Sequence, residues 1–118
     1  MESKMAILKR RDENAVASLT MNAPERLNAL SDEMLAALQN TLNALKSDKT
    51  IQAVVLDGTG KAFCACHDLK QMTSARQKAD GGAAAFKDLF DRCATFMQTV
   101  QEIPQPVIAQ VHGIETAA

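Results

Sequence analysis

Hydrophobic and polar positions alternate in short runs at the start of the chain, a pattern typical of β-strands. Apolar runs at residues 6–10 and 15–20 flank a polar stretch at residues 11–14, which predicts a hairpin with a turn between its strands. Residues 21–30 follow, with Pro24 among them. Because proline disfavours a continuing strand, this segment is predicted to be a loop.

The next segment has the period of an amphipathic helix. Ser31 can cap its first turn by accepting a hydrogen bond from a backbone N–H, and Asp32 and Glu33 suit the positive end of the helix dipole. The apolar stripe that predicts its buried face comprises Met34, Leu35, Leu38, Leu42 and Leu45. The helix is expected to end at about Lys46, and the nearly continuous apolar run at residues 51–56 predicts a buried strand.

The second half of the chain continues with a loop, a helix and a strand. A turn at residues 57–60 leads into a loop of small residues at 60–70. A long amphipathic helix is predicted from Ala83 to about Glu102. Its apolar face is expected to comprise Phe86, Leu89, Phe90, Cys93, Phe96, Met97 and Val100. A strand at residues 107–111 follows, and because helices separate the later strands, parallel pairing in an α/β fold is expected.

The composition of the 118-residue chain excludes several classes of protein. Hydrophobic residues make up 47% and charged residues 23%, which is typical of a globular domain or of part of a larger one. A formal net charge of -1 and only four aromatic residues, all phenylalanine, do not support nucleic-acid binding. No apolar run approaches the ~20 residues of a membrane span. The odd number of cysteines, 3, argues against a disulfide scaffold, and without a visible secretory signal a cytoplasmic location is expected.

The loop after the strand at residues 51–56 could aim backbone N–H groups at a ligand. Ala65 and Cys66 are small, so a carbonyl oxygen could approach the main chain, and the N–H of His67 would donate to it. Two preorganised donors aimed at one oxygen stabilise the negative charge of a thioester enolate. The loop would then form half of an oxyanion hole, with the other half expected near residues 113–118. A tight turn without function is the alternative interpretation.

Four segments match, in order and spacing, the motifs of one protein family. Residues 63–70 are similar to the signature A-F-[CS]-A-G-x-D-[LI]-K, and residues 22–30 to the loop N-x-P-x-x-x-N-A-[LF]. Residues 54–58 resemble the strand before that signature, and residues 104–113 resemble the strand K-P-[VT]-I-A-A-V-x-G. The chain therefore resembles the enoyl-CoA hydratase/isomerase (crotonase) superfamily over nearly its whole length.

This resemblance implies an α/β fold of the crotonase-like (ClpP/crotonase) type, a spiral of β-β-α units. Residues 1–118 would be the N-terminal part of that spiral domain, which is therefore incomplete. The resemblance also implies acyl-CoA or enoyl-CoA as substrate, hydratase (lyase) or isomerase activity in fatty acid metabolism, and a homo-oligomer, either a trimer or a hexamer. No metal or separate cofactor is implied, since coenzyme A belongs to the substrate, and neither a nucleic acid nor a membrane span is expected.

The resemblance also assigns site residues. The backbone N–H groups of His67 and Ala118 would form the oxyanion hole, with Ala118 in a G-x-x-x-[GA]-[GA]-G segment that starts at Gly113. Arg26 would lie near a phosphate group of coenzyme A. The residues expected to bind the coenzyme A part of the substrate are Arg26, Leu27, Ala29, Ala65, Cys66, Asp68 and Leu69.

Three departures from the family pattern leave catalysis open. Cys66 stands where the family has glycine, and a Cβ there would cost about 1 kcal/mol or more if the position needs a positive φ or a close approach to the backbone. Glu115 replaces a small apolar residue, so its carboxylate needs solvent, a partner or a proton. The glutamates that many family hydratases use as general acid and base are expected after Ala118. Two hypotheses follow: an enzyme, or a catalytically impaired or truncated relative that binds acyl-CoA or a partner subunit without turnover.

The same residues have alternative interpretations. Cys64, Cys66 and His67 could bind a soft metal, but a second Cys/His pair at ligand spacing is lacking, so a metal site is not expected. The side chain of His67 could act as a general base, although a surface or pocket-lining position is favoured. Asp68 is more typical of a helix cap than of a catalytic acid. His112, at a strand end where the family often has asparagine, is expected to be a structural hydrogen-bonding residue.

Overall fold

A computed structural model describes residues 6–64, 73, 74 and 76–115 of the chain. It is a mixed α/β structure with one turn of 3₁₀-helix at Pro24–Arg26. The strands and helices, in chain order, are β1 Leu8–Glu13, β2 Val16–Met21, α1 Asp32–Lys46, β3 Ala53–Gly58, β4 Ala62–Cys64, α2 Ala83–Glu102, β5 Val107–Ala109 and β6 Ile114–Glu115. None of the helices in the described ranges is long and apolar enough to cross a lipid bilayer.

The first two strands form the predicted antiparallel hairpin, but its turn is shorter than expected. The prediction of a turn at residues 11–14 was wrong, because strand pairing continues as far as Glu13 opposite Val16. The chain reverses over Asn14 and Ala15, which both have positive φ, 53° and 65°. Two central residues with positive φ match the right-handed twist of the flanking strands, so the turn leaves the register of the hairpin intact.

The main sheet has four strands in the order β1-β2-β3-β5. β2 pairs with β3 in parallel, with Val16 opposite Ala53, and β3 pairs with β5 in parallel, with Val54 opposite Val107. The crossover from β2 to β3 contains α1, and the connection from β3 to β5 contains α2. The predicted parallel pairing of strands separated by helices is therefore confirmed, and β4 and β6 form a second, two-stranded parallel sheet.

The bounds of the later strands differ from those predicted. The strand expected at residues 51–56 lies two residues later, because its register is set by pairing with β2. β5 ends at Ala109 rather than at Val111. β4 lies within the stretch at residues 60–70 that was predicted to be a loop, and its partner β6 is about fifty residues further along the chain. A local pattern of apolar residues does not reveal such a distant partner.

α1 forms as predicted, from its cap to its last residue. The Ser31 hydroxyl accepts a hydrogen bond from the Met34 N–H at 3.2 Å, and this bond satisfies one of the unpaired donors of the first turn. The stripe that packs against the sheet is buried throughout and comprises Met34, Leu35, Leu38, Leu42 and Leu45. These residues meet Leu19 and Val54 of the sheet in one continuous hydrophobic core.

α2 begins and ends where predicted, but only part of its expected apolar face is covered. Leu89 and Phe96 are buried, whereas Phe90 is 53% exposed and Met97 is 44% exposed. The prediction that these last two belong to the core was wrong, because about half of each side chain remains exposed in the described part of the chain. A polar contact holds the two helices together, with Gln39 Nε2 donating to the Thr99 hydroxyl at 2.9 Å.

A buried glutamine joins the end of α1 to the segment before β5. Gln105 is 5% exposed, and its Nε2 group donates to the carbonyl oxygen of Leu45 at 2.6 Å and to that of Asp48 at 3.2 Å. Carbonyl groups at a helix C-terminus lack partners within the helix, so a side-chain donor there satisfies them. The contact fixes the start of β5 against the last turn of α1.

Candidate functional site

The candidate site begins where β3 ends and the chain turns into β4. One side chain, Asn28, anchors this turn from the preceding loop. It is fully buried, and its Oδ1 accepts a hydrogen bond from the Ala23 N–H at 2.8 Å. Its Nδ2 donates to the carbonyl oxygen of Thr59 at 2.9 Å and to that of Ala62 at 3.0 Å. Because carbonyl oxygens only accept, these contacts define which end of the amide faces the turn.

The loop that carries Asn28 is shaped by its own backbone. The 3₁₀ turn starts at Pro24, whose fixed φ suits a first helical position. The chain then enters the left-handed region at Leu27 and Asn28, both with φ of 54°. Asparagine tolerates this region better than most residues, whereas for leucine it is strained. The Asn28 N–H donates to the Ala23 carbonyl oxygen at 2.9 Å, which closes the loop on itself.

Gly58 is the last residue of β3, and because it has no side chain, the amide of Asn28 can occupy the space beside it. A Cβ atom at this position would lie 2.7 Å from Asn28 Nδ2 and 2.7 Å from the carbonyl oxygen of Phe63. Both distances are too short for real contacts, so a side chain at residue 58 would displace the anchor or the start of β4. The absence of a side chain at Gly58 is therefore part of how the turn is held.

A second anchor comes from the chain just before β6. His112 Nε2 lies 2.9 Å from the carbonyl oxygen of Gly60, and the His112 carbonyl accepts a hydrogen bond from the Phe63 N–H at 3.2 Å. The Gly60 carbonyl can only accept, so this contact places the proton on Nε2. The prediction that His112 is a structural hydrogen-bonding residue is confirmed.

Gly113, next to His112, packs against the same turn. Its φ is +59°, and a Cβ atom here would lie 2.0 Å from the carbonyl oxygen of Lys61. A residue with a side chain at this position would have to move the main chain of the turn. The two strands β4 and β6 start from this contact and run parallel, with Ala62 opposite Ile114.

Three of the residues assigned to coenzyme A binding lie together on the loop before α1. Arg26 is the last residue of the 3₁₀ turn and is exposed, and Leu27 is 39% exposed. Ala29 is only 8% exposed, so its methyl group packs into the protein rather than toward solvent. The structure therefore presents Arg26 and Leu27, but not the side chain of Ala29, at the surface of this loop.

The remaining assigned residues lie outside the described residues. They are Ala65, Cys66, His67, Asp68, Leu69 and Ala118. Their roles stay predictions. Among the described residues, Cys64 is buried and Cys93 is partly buried, and neither forms a disulfide bond. Within the same part of the chain, no group of three or more His, Cys, Asp or Glu side chains is placed to hold a metal ion.

No role was predicted for Asn28 or Gly58, although both lie in segments that resemble the family motifs. The available signal was an asparagine at the end of a proline-containing loop, where a left-handed residue is needed. Its partners at Thr59 and Ala62 are more than thirty residues away in sequence. The local pattern therefore could not identify what the side chain binds.

Two carboxyl groups with lowered pKa values lie away from this turn. The pKa of Asp80 is lowered because its carboxylate accepts hydrogen bonds from the backbone N–H groups of Ala84 and Gly82 at the start of α2. The pKa of Asp48 is lowered mainly by the hydroxyl and N–H groups of Thr50. Both carboxylates stabilise local turns, and neither contacts the residues assigned to the site.

Two surface grooves in the described part of the chain also lie elsewhere. One, of about 190 Å³, lies between α1 and α2 and is bordered by Gln39 and Arg92. The other, of about 440 Å³, lies beside the end of α1 and is bordered by Lys46 and Gln105. Neither groove is lined by a residue that the sequence analysis assigned to ligand binding.

Comparison with known proteins places these features in a family. A sequence model described as enoyl-CoA hydratase/isomerase matches residues 16–116. The chain is 32% identical over 106 residues to a Xenopus laevis protein named enoyl-CoA hydratase domain-containing protein 3, mitochondrial, covering 90% of this chain and 34% of that relative. It is 35% identical over 111 residues to 1,2-epoxyphenylacetyl-CoA isomerase of Escherichia coli K12, covering 90% of this chain and 40% of that enzyme.

The prediction of a cytoplasmic location was wrong. It rested on the lack of a visible targeting signal, whereas the Xenopus laevis relative is named as mitochondrial, and proteins of the same name from Danio rerio and Homo sapiens also match. Bacterial relatives match as well. A charged N-terminus without a secretory signal therefore did not identify the compartment.

The solved structures confirm the crotonase-like fold. The chain superposes on an enoyl-CoA hydratase from Mycobacterium smegmatis with a TM-score of 0.81 and 45% sequence identity, over 91% of this chain and 40% of that one. An enoyl-CoA hydratase/isomerase from Xanthobacter autotrophicus gives a TM-score of 0.82 at 32% identity. The chain thus spans well under half the length of the relatives that it matches, and it belongs to the enoyl-CoA hydratase/isomerase family.

Proposed function

We propose that this chain supplies the thioester-binding part of an enzyme that acts on acyl-CoA substrates through a stabilised enolate. The observation that carries the proposal is the parallel pairing of β4 with β6, in which Cys64 lies opposite Glu115. His67 and Ala118, the two expected donors, each follow a member of this pair by three residues. Neighbouring parallel strands end at the same edge of a sheet, so this pairing supports two donors that converge on one ligand.

The proposed chemistry is electrostatic. When a proton leaves the carbon next to a thioester, or water adds to an enoyl thioester, negative charge develops on the thioester oxygen. Two backbone N–H groups, those of His67 and Ala118, would hold that oxygen without reorganising. Removing one such donor typically lowers kcat by about 10²–10³-fold. The groups that move protons at the reacting carbons are expected beyond residue 118, so the activity is proposed for the whole protein.

The proposed substrate is a coenzyme A thioester. The exposed guanidinium of Arg26 and the exposed side chain of Leu27 lie on one loop, which suits contact with a phosphate and with the apolar parts of the ligand. The name of the Escherichia coli relative also describes a coenzyme A thioester. No separate cofactor or metal is needed for this chemistry, and a trimer or hexamer is the proposed assembly.

A second candidate is binding of acyl-CoA without turnover. Cys66, where the family pattern has glycine, favours it, because a side chain at that position would crowd the approach of the thioester. The two candidates differ in one measurable property, the disappearance of an enoyl thioester in the presence of the protein.

The test is made on the whole protein and measures the loss of the ultraviolet absorbance of crotonyl-CoA, with a matched pair of variants at one position. His67→Ala removes the side chain but keeps the N–H, and activity should be retained. His67→Pro removes the N–H, and kcat should fall by about 10²–10³-fold. Equal activity in the two variants would contradict the oxyanion role. No turnover by the unmodified protein, with coenzyme A binding retained in calorimetry and weakened by Arg26→Ala, would favour the binding candidate.

A further inference from the structure

The turn between β3 and β4 is held through its carbonyl oxygens by two distant segments. The carbonyls of Thr59 and Ala62 accept from Asn28 Nδ2 at 2.9 and 3.0 Å. The carbonyl of Gly60 accepts from His112 Nε2 at 2.9 Å. The carbonyl of Lys61, between them, packs against Gly113, where no side chain fits, as described above. Each of the four consecutive carbonyl groups therefore faces another part of the chain.

We propose that Asn28 and His112 are positioning residues for the reaction, because they fix this turn relative to β6. The inference rests on the proposed function, in which one oxygen-holding donor follows β4 and the other follows β6. Neither residue is assigned a contact with substrate. Their role is to set where β4 starts with respect to the strand beside it.

The amide of Asn28 has both the acceptor and the donors that this role requires. Its amide makes three hydrogen bonds, one as acceptor and two as donor, inside a fully buried site. Aspartate would keep the acceptor toward the Ala23 N–H but would turn a carboxylate oxygen toward two carbonyl oxygens. Both carbonyls would then lose this donor, in a partly buried contact for Thr59 and in a buried one for Ala62, which is costly for a polar group.

His112 connects the turn to the second strand of the small sheet. It binds the turn in both directions, since Nε2 donates to Gly60 and its carbonyl accepts from the Phe63 N–H. Gly113 and then β6 follow directly. Hydrogen bonds therefore join the loop that carries Asn28, the turn between β3 and β4, and the start of β6. Because His112 is exposed, its hydrogen bond contributes less than the buried bonds of Asn28.

The test compares the steady-state kinetics of the whole protein on crotonyl-CoA for variants that change these hydrogen bonds. Asn28→Asp should lower kcat by about 100-fold, the loss expected for a misplacement of about 1 Å, with KM nearly unchanged. The matched control is Asn43→Asp, since Asn43 is exposed and uses its oxygen only to accept from Gln39 at 3.0 Å. That control should have the kcat of the unmodified protein.

A second pair of variants keeps the test valid if Asn28→Asp does not fold. His112→Phe removes the donor at an exposed position, and kcat should fall by a smaller factor. His112→Gln places an amide N–H near the position of Nε2 and should restore kcat. Recovery with glutamine but not with phenylalanine distinguishes positioning by a hydrogen bond from mere filling of space.

The outcomes separate the two proposals. An unmodified protein that turns over crotonyl-CoA, together with unchanged kcat in Asn28→Asp and His112→Phe, would overturn the positioning role and leave the proposed function standing. A rise in KM with unchanged kcat would also overturn it, because it would assign these residues to substrate binding. An unmodified protein without turnover would overturn the proposed function and this inference together.

Discussion

Replacing Gly58 by alanine is expected to destabilise the protein by an amount that the geometry of the turn sets. Gly58 does not have a positive φ, so the change tests space alone and not backbone strain. The added Cβ would stand 2.7 Å from both Asn28 Nδ2 and the carbonyl oxygen of Phe63. One of these is main chain and the other is a fully buried, hydrogen-bonded amide, so neither can yield cheaply.

The magnitude follows from two contributions. Overpacking a well-packed site costs about 1–3 kcal/mol. Pushing the Asn28 amide away from the carbonyl of Thr59 or Ala62 leaves a buried acceptor unsatisfied, at about 1–3 kcal/mol more. The total of about 2–6 kcal/mol is large compared with the free energy of unfolding of a typical domain, about 5–15 kcal/mol.

The assay is urea denaturation followed by circular dichroism. With a mid-range slope of about 2 kcal/mol per molar urea, the midpoint of Gly58→Ala should fall by about 1–3 M. The control is Gly81→Ala, where φ is +67° but nothing lies within 4 Å of the added Cβ. It should cost only about 1 kcal/mol, from backbone strain. A midpoint for Gly58→Ala equal to that of the unmodified protein, or a larger loss for Gly81→Ala, would refute the reasoning.

Two further predictions concern acid stability and association. The pKa of Asp80 is lowered by the N–H groups of Ala84 and Gly82, so its stabilisation is present above the ordinary carboxyl pKa of about 3.9 and is lost as the pH falls through the lowered folded value. When the pH is lowered from ~5 to ~2, the urea midpoint of Asp80→Asn should therefore fall less than that of the unmodified protein. An equal fall in the two proteins would argue against this. The exposed Phe90 and Met97 should cause self-association of the 118-residue polypeptide in light scattering, and Phe90→Lys with Met97→Lys should reduce it. A monodisperse monomer before substitution would contradict the prediction.

The first helix shows what local pattern alone could predict. Its cap at Ser31, its last residue Lys46 and every member of its buried stripe agree with the sequence analysis. These features depend on residues three or four positions apart, so the information is contained in the segment itself. The same reasoning located both ends of α2.

Features that depend on distant partners were predicted less well. β3 lies two residues from its predicted position because the pairing of Val16 with Ala53 sets its register. Phe90 and Met97 have the helical spacing of core residues, but spacing indicates which residues share a face and not what covers it. The anchoring role of Asn28 depends on the folded path of the chain around Gly58. It could be recognised only when both segments were seen together.

The buried amide of Gln105 has a consequence for the order in which the protein is made. α1 ends at Lys46, yet the hydrogen bonds from Gln105 to Leu45 and Asp48 form only after residue 105 has left the ribosome. Until then the end of the helix keeps only local bonds, such as that from the Asp48 N–H to the Leu45 carbonyl at 3.0 Å. The first helix of the chain therefore reaches its final form together with β5, after about sixty further residues have been made.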